Sequence, residues 1–215
     1  LHGAQADPLA GVAVGAFSRS LVGSTWSPLT LPSGGDLPWS TEFVADHPGV
    51  SAGLELMWAE PRDGLEALVM DSHAVARDVG ERIDAARPAN DGDRAGGQPG
   101  IARDLNLVAD VINADLGTSV FHLRHGGFDT HANQQGSQGR LLKQLGDSLE
   151  AFVHDLETRN RLNDTLVLVF SEFGRRVKQN AGRGTDHGTA NCVFLIGNQL
   201  KVPGMLGTPP NLSLI

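Results

Sequence analysis

The chain has 215 residues, a formal net charge of −8, and 40% hydrophobic against 20% charged residues, the balance of a globular protein with a core of ordinary size. An acidic surface repels phosphate backbones, which argues against nucleic acid as a partner. No apolar run approaches the roughly 20 residues that span a bilayer, and the single cysteine, Cys192, excludes an internal disulfide.

In chain order, the first fifty residues are rich in Gly, Pro and Ser, and within them Leu9–Gly15 is a short apolar run that fits a buried strand. Trp26 and Trp39 fall in the irregular stretch that follows and are expected to pack rather than to stack on a ligand. From Asp63 the pattern turns helical, with Leu65, Leu68, Val69, Val75, Val79 and Ile83 at helical spacing up to Pro88. Residues 87–100 have the Gly/Pro/Asp composition of a mobile surface loop. Ile101, Leu105, Val108 and Ile112 predict a second helix over 101–116, closed by Gly117.

Ser119–Leu123 reads as a strand, and Leu141, Leu145, Leu149, Phe152 and Leu156 form the apolar stripe of a third helix over 137–159. Thr165–Phe170 is a continuous apolar run of the kind buried on both faces of a parallel sheet, and Val193–Ile196 is another, with Cys192 beside it as a buried thiol. This alternation predicts an α/β fold with a mostly parallel sheet flanked by helices, the strands ending near Leu123 and Phe170 sharing one sheet.

In such sheets ligands bind beyond the carboxyl ends of the strands, and three polar clusters lie there. The first is His125-Gly-Gly-Phe-Asp-Thr-His131. Residues i and i+2 of an extended segment project to one side, so Asp129 and His131 can reach one cation. The second, Ser171-Glu-Phe-Gly-Arg-Arg176, supplies Glu172 and two guanidinium groups, of which Arg175 or Arg176 could pair with a phosphate or sulfate. The third, Gly184-Thr-Asp-His-Gly-Thr189, supplies Asp186 and His187. Oxygen and nitrogen donors of this kind hold zinc, manganese or magnesium. His122, within a strand, and His154, within a helix, lie away from these loops and are not expected to be ligands.

Together with Pro8-Leu-Ala-Gly-Val-Ala-Val-Gly15, the three motifs resemble the signatures of the bacterial family known as domain of unknown function 1501, in the same order and across most of the chain. That family is similar in fold to the alkaline phosphatase and sulfatase superfamily. The resemblance implies an alkaline phosphatase-like core in a single partial domain over 1–215, with the first metal-binding aspartate and the nucleophile in chain not present here, and export to the periplasm or beyond. It implies a metal-dependent hydrolase of a small phosphate or sulfate ester, with Asp129, His131, Glu172, Asp186 and His187 around a divalent metal ion and Arg175 steadying the oxyanion. Two departures stand out. The first loop carries Asp129-x-His131 where phosphatases of that type carry Asp-x-x-x-His, and Phe173 follows Glu172 where they carry a histidine. The latter favours an alternative, a non-catalytic exported binding or structural protein that retains the fold.

Overall fold

A computed structural model describes residues 8–23, 28–33, 47, 49–50, 52–53, 56, 63–87, 100–188, 191–209 and 211. The chain divides into two units, residues 1–124 and 125–215. Trp26, Trp39 and most of the loop over 87–100 lie outside the described residues.

The first unit is built on a three-stranded parallel sheet. Its strands are β1 (Gly11–Val14), β2 (Leu29–Leu31) and β3 (Val120–His122). Strand β1 is central, with Val12 opposite both Leu29 and Phe121. Every residue of β1 is buried, as its uninterrupted apolar composition requires for a strand covered on both faces.

Two helices accompany the sheet, α1 (Gly64–Ala86) and α2 (Ile101–Asn113). Helix α1 stops where expected, because Arg87 precedes a proline and is extended at φ −66°, ψ 137°. Among its described side chains Val79 and Ile83 are buried, whereas Leu65, Val69 and Val75 are exposed. Helix α2 is shorter than its periodicity suggests. Asp115 at φ 52° and Gly117 at φ 78° take left-handed conformations that end it. Its core face, Ile101, Leu105, Val108 and neighbours, is buried. Two buried carboxylates on α2 are matched by partners: Ser33 Oγ donates to Asp104 Oδ1 at 2.6 Å, and Arg87 Nε lies 3.5 Å from Asp110 Oδ2.

The second unit contains one long helix, α3 (Gln134–Thr158), and two antiparallel strand pairs. Phe152 and Leu156 of α3 are buried, and the chain turns back through Asn160 at φ 58° to bury Leu162. Strand β4 (Val167–Val169) pairs with β7 (Phe194–Ile196), and β5 (Gly174–Gln179) pairs with β6 (Thr185–Gly188).

The protein is therefore mixed α/β, and among the described residues parallel pairing is confined to the small sheet of the first unit. Three expectations are corrected here. Strands β3 and β4 belong to different sheets rather than one. The apolar run around β4 is not buried on both faces: Leu166, Leu168, Phe170 and Phe194 are all more than half exposed, and among the described residues this sheet has two strands, paired antiparallel. Cys192, just before β7, is exposed rather than buried. The expectation failed because apolar continuity signals a two-sided environment but not the element that supplies it.

Candidate metal centre

All the donors named from the sequence lie in the second unit. The first segment, His125–Ala132, runs without regular structure into α3. Gly127 takes φ 92°, and a Cβ there would approach Leu141 to 3.3 Å, so this tight path needs glycine. The segment is pinned further by His125 Nε2 against the Leu141 carbonyl at 3.4 Å. Beyond it, Asp129 and His131 project to one side, as the i, i+2 spacing implies, and His131 Nε2 donates to Asp129 Oδ1 at 2.9 Å.

The second and third clusters form a single β-hairpin, β5–β6, in which Arg175 pairs with His187 and Gly174 with Gly188. A Cβ at Gly188 would sit 2.5 Å from the Arg175 carbonyl carbon, so the two strands approach closely there. This hairpin carries His187 to Asp129, whose Oδ1 also accepts from His187 Nε2 at 2.7 Å. The two imidazoles are 4.9 Å apart, and Phe173 stacks on His187 at 4.2 Å and 18°.

Asp129, His131 and His187 each offer one ligand atom, and these atoms lie within 4.8 Å of one another, all on exposed residues. Glu172, also exposed, is not in that set, and neither is Asp186. In a strand, adjacent side chains leave on opposite faces. With His187 turned to Asp129, Asp186 falls on the far side of His131, its Oδ1 3.8 Å from His131 Nδ1. His122 belongs to β3 and His154 to α3.

The arginines divide their work. Arg175 donates from Nη1 to the Thr185 carbonyl and from Nη2 to the Phe128 carbonyl, with its guanidinium 5.1 Å from the Phe173 ring centre. It thus fastens the 125–132 segment to the hairpin. Arg176 is exposed and close enough to Asp186 for its charge to act on that carboxylate.

Both aspartates are held ionised. The hydrogen bond from His187 lowers the Asp129 carboxyl below its ordinary value, and His131 adds to this. The hydrogen bond from Asn180 lowers Asp186, with Arg176 and His131 contributing charge.

Sequence reasoning missed Asn180, which opens the hairpin turn and touches Asp186, the His131 carbonyl and two glycine amides. A signal was present. Asn180-Ala-Gly-Arg-Gly184 is a turn composition of the type that joins antiparallel strands. It was masked because GRRVKQ lacks the alternation of a half-buried strand.

The donor set suits a divalent cation: two neutral imidazoles and one carboxylate are a common zinc triad, leaving further positions open. Tetrahedral bonds of roughly 2.0 Å would set the donors about 3.3 Å apart. Entry of an ion would therefore displace the protons now shared with Asp129, lengthen its two contacts from 2.9 and 2.7 Å by a few tenths of an ångström, and draw the two imidazole nitrogens together from a separation of up to 4.8 Å.

Comparison with known families places the chain. It belongs to the family described as "Protein of unknown function (DUF1501)", which matches residues 86–214, more than half its length and the whole of the site. No curated protein and no solved structure matches it.

Proposed function

We propose that Asp129, His131 and His187 bind a divalent cation, with zinc the best match and manganese or magnesium the alternatives, and that the site serves hydrolysis of a small phosphate or sulfate ester. The observation that carries this reading is the convergence of three donor atoms within 4.8 Å from two separate segments of chain. When bound, such a cation polarises an ester oxygen and stabilises the charge that develops there.

The chain's own residues would do the rest. Asp129 carries the negative charge of the donor set, and Glu172, next to the Phe173 that stacks on His187, is the further carboxylate proposed for the ion. Arg175 keeps the two donor-bearing segments in register through Phe128 and Thr185. Arg176 then becomes the guanidinium for the substrate oxyanion. Residues 174–184 include Arg175, Arg176, Lys178 and Arg183 and no acidic residue, in a chain whose net charge is −8. A local basic hairpin in an acidic protein favours an anionic ligand at that place. No nucleophile is assigned.

One observation favours a second reading, an exported binding or structural protein without catalysis. The Phe173 ring, which has no donor atom and stands where phosphatases of the similar superfamily carry a histidine, stacks on one face of His187. Calorimetric titration with zinc, manganese and magnesium, paired with turnover assays on phosphate and sulfate monoesters, separates the two. Zinc binding that disappears in His131→Ala and His187→Ala, together with turnover, supports the hydrolase. Zinc binding without turnover supports the second reading, and no binding of any of the three ions removes the hydrolase and leaves the non-catalytic reading.

A further inference from the structure

We infer that Asn180 is a positioning residue of this site, holding His131 from its backbone and from behind its ring through Asp186; for its effect on metal affinity the inference rests on the cation reading above. Hydrogen-bond valence fixes how its carboxamide lies. The backbone N–H groups of Gly182 and Gly184 both donate to Asn180 Oδ1, at 2.9 and 3.0 Å. Because two N–H groups point at that atom, it must be the oxygen. Both hydrogens of Nδ2 are then directed elsewhere, and each has an acceptor: the His131 carbonyl at 3.1 Å and Asp186 Oδ1 at 3.1 Å. Every donor and acceptor of the carboxamide is used.

The two halves of this side chain have different jobs. The oxygen folds the turn, which is also closed by Asn180 N–H donating to the Gly184 carbonyl at 2.8 Å. The nitrogen reaches out of the turn to the donor-bearing segment. It fixes the main chain at His131 and holds Asp186 in place 3.8 Å from His131 Nδ1. With Asp186 behind the ring, Nε2 is the nitrogen presented to Asp129 and His187. At 3.8 Å the carboxylate is an ion-pair partner just beyond hydrogen-bond reach of the ring; closing on the ring when a metal binds, it would orient the imidazole, and loss of such a partner typically costs ~10–100-fold in metal affinity. Asp186 therefore acts through His131 rather than as a ligand itself. No other side chain substitutes for Asn180: aspartate lacks the donors, serine has one, and glutamine is longer by a methylene.

The near-isosteric change Asn180→Asp separates the halves, because it keeps an acceptor for Gly182 and Gly184 but turns a carboxylate oxygen on Asp186 and the His131 carbonyl. Asp186→Asn leaves the turn untouched and removes only the charge behind the ring. Two measurements on the whole chain decide the matter: ring ¹⁵N and ¹³C resonances of histidines in metal-free protein, and the zinc dissociation constant by calorimetry. In metal-free Asn180→Asp the His131 ring resonances should move while those of His154 stay, with the Gly182 and Gly184 amides still protected from exchange. Zinc should bind ~10–100-fold more weakly to both variants. Unmoved His131 resonances in folded Asn180→Asp overturn the inference. So does loss of Gly182 and Gly184 protection in Asn180→Asp while Asp186→Asn binds zinc like the parent, since Asn180 would then be a turn residue only. If the parent takes up no zinc but the His131 ring still moves, the cation reading fails and the positioning role stands.

Discussion

Gly184→Ala is the substitution that most directly tests how the hairpin and the first donor segment are joined. A Cβ at this position would stand 2.3 Å from the His131 carbonyl oxygen, 2.4 Å from its carbon and 2.8 Å from Ala132 N. All three are backbone atoms, so no rotamer change relieves the clash. Restoring ordinary van der Waals contact requires the two segments to part by roughly 1 Å. That movement pulls at the Ala132–Arg183 bridge and at the bonds from Asn133 N–H to Gly182 O, 2.9 Å, and Gln134 N–H to Arg183 O, 3.1 Å. Overpacking of this sort costs about 1–3 kcal/mol, and each weakened hydrogen bond adds up to about 1 kcal/mol. The total, about 2–4 kcal/mol, should appear as a lowered urea midpoint with unchanged slope. Zinc binding should fall further than stability does, because a donor set tolerates only about 0.2 Å of error in ligand distance. A Gly184→Ala protein with parental urea midpoint and parental zinc affinity would refute the close approach of these segments.

Glycines in α3 should behave oppositely: a methyl group at Gly139 or Gly146 would meet nothing within 4 Å, so alanine at either should stabilise by about 0.5–1 kcal/mol, read as a raised melting temperature. Leu156, at 0% exposure, should cost about 2–5 kcal/mol on change to alanine, measured by denaturant unfolding. Asp129 is lowered chiefly by its bond from His187. A depressed carboxyl adds stability that is complete above its unfolded value of about 4 and is lost as pH falls through the folded value. NMR titration of the Asp129 carboxyl should therefore show a midpoint below that unfolded value, moving up more in His187→Ala than in His131→Ala; equal or opposite movements would contradict the geometry. Arg175→Lys should weaken zinc binding without unfolding the protein, because one ammonium cannot span the Phe128 and Thr185 carbonyls as the guanidinium does.

The sequence disclosed what local periodicity encodes. The three helices were legible because apolar residues at three- and four-residue steps have no other common explanation; the end at Pro88 was legible too, whereas the left-handed Asp115 that stops α2 at Asn113, short of 116, was not. Strand pairing was not legible. The run Val167–Val169 states that apolar partners are wanted, yet its actual partner, Phe194–Ile196, runs antiparallel, and nothing in so short a run encodes direction. The β5–β6 hairpin was hidden for another reason. Its strands are fixed by cross-strand contacts and a hydrogen-bonded turn rather than by an apolar face, so only the Asn180–Gly184 turn carried a signal.

The same physics separates what was legible in the site from what was not. Asp129 and His131 are two apart in extended chain, and that spacing alone brings them together. Asp186 and His187 are adjacent on a strand, so a single ion could not take both from one face. Once β6 is recognised as a strand, their division into a residue facing Asp129 and a residue behind His131 follows. The metal-free arrangement also states what binding must cost. One oxygen, Asp129 Oδ1, accepts from two imidazole Nε2 atoms at 2.9 and 2.7 Å, so both ring nitrogens that face the ion's position carry protons. A cation takes those positions only by displacing the protons, to Nδ1 of the same ring or to solvent. Protonation of the rings competes with the ion, and its apparent affinity must therefore fall as the solution is made more acidic. The exposed Asp129 carboxylate is what makes this exchange accessible. The same exchange must also draw the two imidazole nitrogens together, from a separation of up to 4.8 Å toward roughly 3.3 Å, while their contacts with Asp129 lengthen by only a few tenths of an ångström.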